Sequence, residues 1–139
     1  MSNRGRDILM GVPLFSDLSK RHVRRIADLM EEQRFHEGAN VVREGEEGDS
    51  LYVLVEGQAD VIRGDRTVDR LLPGDFFGEI SLLDGGPRTA TVTADTPITV
   101  LTISRGPFTR MLGQEPEIAV KILSALARRL RWMMRSSRR

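Results

Sequence analysis

Glu79 and Arg88 carry the chemistry of this chain, nine residues apart in the run Phe77-Gly78-Glu79-Ile80-Ser81-Leu82-Leu83-Asp84-Gly85-Gly86-Pro87-Arg88-Thr89-Ala90-Thr91-Val92. Gly78 lets the backbone reach dihedrals that other residues avoid and lets it approach a ligand closely. A short helix opening at Glu79, Ile80 and Ser81 presents unpaired N–H groups and a positive dipole end to an anion. Arg88 adds a planar, permanently charged fork that suits phosphate oxygens. An ionised Glu79 only accepts hydrogen bonds, which suits a sugar hydroxyl and opposes a second phosphate. One phosphate cradle beside one hydroxyl acceptor is the recognition chemistry of a cyclic nucleotide.

The run closely resembles the phosphate-binding cassette of the cyclic nucleotide-binding domain family, to which the effector domain of catabolite activator protein belongs. The family pattern, roughly F-G-E-[LI]-[AS]-L, a few residues, then [PE]-R-[TSA]-A, is present in every element. The resemblance extends from about Leu14 to Met134. It takes in Glu44-Gly45-Glu46-Glu47-Gly48-Asp49, Gly57 and Leu72-Pro73-Gly74-Asp75-Phe76. It implies that Gly78 opens the cassette, that Glu79 meets the ribose 2′-hydroxyl, and that the amides of Ile80 and Ser81 face the cyclic phosphate. It also implies that Arg88 binds that phosphate and that Thr89 offers a hydroxyl to phosphate or base. Leu71, with Val61 or Ile62, is expected to give apolar surface to the purine. In Ala127-Arg128-Arg129-Leu130 the resemblance aligns Arg129 with an arginine that reaches towards the cassette glutamate. Beyond it the chain departs from the activator protein: Met133-Met134 stands where a Thr-Ser pair contacts adenine. Trp132 is then a candidate lid on the purine, with packing at a dimer seam or on the roll as the alternative.

The elements that must position these residues change character along the chain. Val23, Ile26, Ala27 and Met30 recur at helical spacing, with Asp17 or Ser19 as N-cap, which predicts a helix to about Glu32. From Asn40 to Ser104 the apolar runs are short, β-branched and punctuated by turn residues. Strands are expected at about 40–43, 51–56, 58–63, 67–72, 89–94 and 98–103, with short ones near 34–36 and 76–77. Such a series suggests a sandwich or rolled double sheet, and the resemblance implies the jelly-roll order of its eight strands. A short helix near 107–112 is expected to end around Gly113, and Pro116 opens a last helix to about Arg135. The expected fold is therefore mainly β: an eight-stranded double-sheet jelly roll with N-terminal helices and a long C-terminal helix. We expect one domain over 1–139, with a helical segment at 1–33, the roll at 34–104, the cassette at 77–90, helices at 105–135 and a basic tail at 136–139.

Two apolar rows run along the last helix. Ala119, Leu123, Leu126, Leu130 and Met133 alternate by four and three, as in a coiled-coil seam, while Ile118 and Ile122 form a neighbouring row suited to the sheet. Homodimerisation through the seam is expected. No acid follows Glu117, whereas Lys121, Arg128, Arg129, Arg131, Arg135, Arg138 and Arg139 do. Like-charge repulsion between paired helices should ease as salt rises.

Composition narrows the remaining classes. The 139 residues, 40% hydrophobic and 29% charged with a net charge of +1, suit one globular domain. The absence of cysteine removes disulfides, thiolate metal sites and cysteine nucleophiles. No apolar run approaches a membrane span and the first residues lack a signal core, so a cytoplasmic protein is expected. His22 and His36 are the only histidines and neither sits in a metal-binding spacing. No nucleophile elbow, Walker loop or dinucleotide fingerprint is present, so the chain reads as a binding module and not an enzyme, with no cofactor beyond its ligand. The first reading is a sensor of a 3′,5′-cyclic nucleotide, cAMP favoured over cGMP, that couples binding to movement of the last helix. The second is a roll-fold interaction domain whose basic helix binds nucleic acid or an acidic partner; no helix-turn-helix follows within this chain.

Overall fold

The computed structural model describes residues 3–136, with side chains from Gly5 onward. Helix α1 (Asn3–Met10) leads through a 3₁₀ turn (Pro13–Phe15) into α2 (Lys20–Ala27). Ser19 caps α2, its hydroxyl accepting from the His22 amide at 3.2 Å. Eight strands follow: β1 (Glu31–Phe35), β2 (Asn40–Val42), β3 (Ser50–Glu56), β4 (Ala59–Arg63), β5 (Arg66–Leu71), β6 (Phe76–Phe77), β7 (Thr91–Ala94) and β8 (Ile98–Ser104). Helix α3 (Glu79–Asp84) interrupts them between β6 and β7, and α4 (Arg105–Gln114) and α5 (Pro116–Ser136) close the described chain.

The pairing is nested. β4 pairs with β5, β3 with β6, β2 with β7 and β1 with β8, all antiparallel, as in one long hairpin rolled on itself. Cross-pairs β3–β8 and β4–β7 complete two four-stranded sheets, β1-β8-β3-β6 and β2-β7-β4-β5. This is the jelly-roll fold expected from the sequence. The nesting brings the turn before β3 next to the segment after α3, and that juxtaposition builds the site below.

The first sheet is covered on both faces. Along β8, Ile98 and Val100 enter a core between the two sheets, and Leu101 and Ile103 enter a second core beneath the helices. A two-sided strand needs apolar residues at both parities, which is why Ile98-Thr99-Val100-Leu101-Thr102-Ile103 lacks clean alternation. The helix-side core joins Leu9, Val12, Leu14 and Phe15 to Val23, Ile26, Leu82, Phe108, Met111, Ile118 and Ile122.

Several boundaries differ from expectation. α2 stops at Ala27, because the amides of Leu29 and Met30 turn back to the carbonyls of Ile26 and Ala27 at 3.0 and 3.1 Å. Glu31 and Glu32 then pair with Thr102 and Leu101, so the roll begins at Glu31, and ladder bonds override the helical spacing of the side chains. Gly113 does not end α4: the helix continues to Gln114, and the Glu115 amide donates to Met111. α1 falls within the helical segment expected at 1–33, where the spacing located only the later helix. The basic tail expected at 136–139 lies, beyond Ser136, outside the described residues. No helix among the described residues is long and apolar enough to cross a membrane.

One face of α5 docks and another does not. Ile118, Ile122 and Ala125 are buried, whereas Leu123, Leu130 and Met133 of the 4-3 row are 64%, 58% and 57% exposed, with Leu126 half-buried at the core's edge. Glu115, just before α5, pairs with Arg21, Glu117 in its first turn lies 3.8 Å from His22, and further along the helix Arg128 reaches Asp17. Ile118→Ala should therefore cost about 2–5 kcal/mol in chemical denaturation, while Leu123→Ala should stay within about 0.5 kcal/mol. The reverse order would show that the wrong face has been identified as docked.

Candidate functional site

The cassette folds as its glycines allow. Gly78 adopts φ 88° and ψ 9°, a left-handed conformation that favours glycine. A Cβ there would also overlap the Ser50 carbonyl and stand 2.6 Å from Arg88 Nη1. α3 starts at once, the Leu82 amide donating to the Gly78 carbonyl at 3.1 Å and the Leu82 side chain entering the helix-side core. The amides of Glu79, Ile80 and Ser81 precede any intrahelical acceptor. The Ser81 hydroxyl is committed elsewhere, donating to the Gly86 carbonyl at 3.1 Å and closing the loop behind the helix. That loop is clamped to the turn before β3: the Arg88 amide donates to Glu46 at 2.8 Å and the Gly45 amide donates to Arg88 at 2.9 Å.

Arg88 is consequently held inside the protein, only 8% exposed. Its Nη1 donates to the Ser50 carbonyl at 2.9 Å, and its guanidinium carbon lies 5.7 Å from the centre of the Tyr52 ring. Tyr52 in turn stacks on Phe77 at 5.0 Å with the rings 9° from parallel. Gly48 is the floor beneath the guanidinium, since a Cβ at that position would overlap Nε and Cζ of Arg88. Burial lowers the pKa of Arg88 from that of a free guanidinium, while Tyr52 and Asp49 act in the opposite direction; a guanidinium stays charged under such a shift. No ion pair among the described residues includes Arg88. A buried cation with one carbonyl partner and no carboxylate is costly by itself, and its remaining donors are available to an anion.

These donors face a cavity of about 280 Å³ between the cassette and the second sheet. Gly78, Glu79, Ile80, Ser81, Arg88, Thr89, Leu71 and Val61 all line it; Ile62 does not. Val42, Phe76, Phe77, Ala90 and Val92 complete an apolar wall. The Glu79 carboxylate has no hydrogen-bond or ion-pair partner among the described residues, so its acceptors are open to the cavity.

Arg129 and Trp132 are not brought to this cavity. Arg129 is half-buried and makes no ion pair with Glu79, and Trp132 is 68% exposed. The reason lies in α5, whose start is anchored on the N-terminal helices and whose distal half runs past the last buried residue, Ala125. Both continue, in steps of four and three, the row of Ile118, Ile122 and Ala125, and so share the face that docks upstream. His22 is buried against Arg21 and Glu117, and His36 is exposed beside the Glu37 carbonyl.

Several site residues escaped the sequence reading. Gly48, Ser50 and Tyr52 are contributed by the turn and strand nested against the cassette; the Glu44–Asp49 phrase was visible, but not what it packs on. Beside the apolar surface expected of Leu71 and Val61, the charged Arg63 and Asp69 also line the cavity. Strand periodicity held that signal, since Asp69 lies two residues before Leu71 and shares its face.

Comparison with known proteins agrees with this geometry. The family model for the cyclic nucleotide-binding domain matches residues 32–115. The cAMP-dependent protein kinase regulatory subunit of Colletotrichum orbiculare is 39% identical over 109 residues, covering 77% of this chain and 28% of that protein. The chain thus spans about a quarter of the length of the curated relatives it matches. Among solved structures, the N-terminal domain of a transcriptional regulator from Streptomyces coelicolor superposes with a TM-score of 0.89 at 34% identity, covering 96% of each chain. The cAMP-bound PfPKA-R superposes with a TM-score of 0.68 at 30% identity, covering 88% of this chain and 46% of that one. By the matched family model, by these relatives and by its jelly roll, this chain belongs to the cyclic nucleotide-binding domain family.

Proposed function

We propose that this chain is a regulatory sensor that binds a 3′,5′-cyclic nucleotide in the cassette cavity, cAMP in preference to cGMP. The observation that carries the reading is the buried, charged Arg88 with no carboxylate partner, aimed into a cavity lined also by the first turn of α3 and by the unpartnered Glu79. The cyclic phosphate would take the Arg88 fork and the amides of Ile80 and Ser81. Glu79 would accept the ribose 2′-hydroxyl, and Thr89 would stand beside phosphate or base. Val61 and Leu71 would cover the purine. Relatives named as cAMP-dependent regulatory subunits support cAMP.

Coupling to α5 is part of the proposal. Leu82 of α3 packs in the same apolar core as Ile118 and Ile122, so a ligand that draws α3 inward bears on the bed under α5. Arg129 and Trp132 continue the docked face of α5 beyond its last buried residue, Ala125, and closure of the distal half over the roll would carry that face to the base. Ligand binding would then shift the population between open and closed α5. The exposed row of Leu123, Leu130 and Met133 supports self-association as a homodimer.

Calorimetric titration with cAMP and cGMP tests the ligand. The wild-type chain should bind both, with cAMP the tighter, and Arg88→Ala should lose about a hundredfold or more in affinity. Gly48→Ala should weaken binding without removing any ligand contact, by displacing the guanidinium; circular dichroism checks that the roll persists. Binding of neither nucleotide, or an Arg88→Ala chain that binds as well as wild type, sinks the reading.

Sedimentation equilibrium tests the dimer. Leu130→Glu is the informative variant, being exposed in the monomer and so not required for folding. Wild type should associate more tightly as salt rises and Leu130→Glu should remain monomeric. A wild-type chain that is monomeric at high concentration in both low and high salt excludes the dimer.

A further inference from the structure

Helix α2 carries charge against its own stability. Its eight residues include Lys20, Arg21, Arg24 and Arg25 and no acid. Lys20 and Arg21 occupy the first turn, where the positive end of the helix dipole favours anions. Lys20 with Arg24, and Arg21 with Arg25, are like charges four residues apart, which repel one another along the helix. What holds the helix is its other face, where His22, Val23, Ile26 and Ala27 are buried. α4 lies beside it and has Arg105 and Arg110, again with no acid. The two are joined where Arg25 Nη2 donates to Gln114 Oε1 at 2.6 Å. Arg21 is answered by Glu115 at 3.3 Å. Lys20, Arg24 and Arg110 have no ion pair or side-chain hydrogen bond among the described residues. Arg25 and Arg110 flank a hollow of about 110 Å³ between α2 and α4, lined also by apolar Leu29, Pro107 and Met111 and by Gln114, with no carboxylate. A charge pattern that opposes the local rules and gives the fold nothing marks a surface made for something outside it.

We propose that this face of α2 and α4 docks an acidic peptide segment of a partner protein. An Asp or Glu of the segment meets Arg25 and Arg110, and a neighbouring apolar side chain enters the hollow between them. Two guanidiniums beside an apolar lining fit an acid and an apolar group carried close together on one chain. Asp28, exposed at the end of α2, interrupts the positive surface. It opposes a continuous run of phosphates, as on a nucleic acid, whereas carboxylates on a peptide can be spaced to pass it. No large apolar side chain of α2 or α4 is exposed for insertion into a membrane interface. None of the residues lining the hollow lines the cassette cavity, so the proposal stands apart from the nucleotide reading.

The test starts from random short peptides displayed on phage and selected on the full chain. Selected peptides should carry Asp or Glu close to an apolar residue. One of them, labelled and titrated by fluorescence anisotropy, should bind wild type and lose about tenfold in affinity with Arg110→Glu. Lys20→Ala combined with Arg24→Ala should cost about threefold, chiefly at low salt, where unscreened charges steer the encounter. All three side chains are exposed, so both variants should keep the fold, which circular dichroism checks. Replacing the acids of the peptide by their amides should abolish binding. Selection of no peptide, or of peptides without acidic residues, overturns the proposal. So does a peptide that binds Arg110→Glu as tightly as wild type. A DNA duplex or phosphatidylserine vesicles held more tightly than the peptide, and released by Arg110→Glu, would assign the face to nucleic acid or membrane and overturn the acidic-peptide partner.

Discussion

Burying a guanidinium without an anion is the constraint around which this structure is arranged. The cost of desolvating Arg88 is met only in part, by one carbonyl at 2.9 Å and by the face of Tyr52. Two glycines make the placement possible: at Gly48 and at Gly78 any side chain would occupy the space that the guanidinium fills. The protein thus encloses the cation on the sides of β3 and the preceding turn and leaves its remaining donors on the side of the cavity. A fold that keeps such an arrangement stores an affinity for anions in its own structure.

The jelly roll supplies that enclosure through nesting. Strand pairs β3–β6 and β2–β7 lay the Glu44–Asp49 turn against the loop that follows α3, and backbone bonds between Glu46, Gly45 and Arg88 fix the two together. The same sheet that supplies Ser50 and Tyr52 to the site has Leu51 and Val53 on its other face, in the core beneath the helices. Site and helix bed are therefore two faces of one layer. Leu82 joins them directly, since it belongs to α3 yet packs among Phe108, Met111, Ile118 and Ile122.

α5 divides its work by face and by length. Its first half is fixed by Ile118, Ile122 and Ala125 and follows directly on the Arg21–Glu115 ion pair, while the distal half, tied at Arg128 to Asp17, carries exposed apolar and basic side chains together. The two apolar rows in the sequence are both real, but only one is used within the described chain. Arginines at 128, 131 and 135 occupy the remaining face, and of these Arg128 reaches Asp17 at 2.7 Å.

The sequence by itself determined the strand series, the cassette and the class of ligand chemistry, because each rests on local information: turn residues, β-branched runs, and a glycine, a carboxylate and a guanidinium at set spacings. All eight strands form at or near the expected positions, and Gly78, Glu79, Ile80, Ser81, Arg88, Thr89, Leu71 and Val61, singled out with the help of the family resemblance, line one cavity. Where local pattern and long-range pairing disagreed, the pairing prevailed, as at Glu31 and Glu32, whose helical spacing gave way to ladder bonds with β8. Only the tertiary structure decided what surrounds Arg88, since Gly48, Ser50 and Tyr52 lie far from it in sequence and meet it through strand nesting. Only the tertiary structure, too, put Asp69 and Arg63 in the cavity lining and left Arg129 and Trp132 out of it. Where α5 comes to rest depends on side chains of α1, α2 and the 3₁₀ turn that no spacing within α5 encodes.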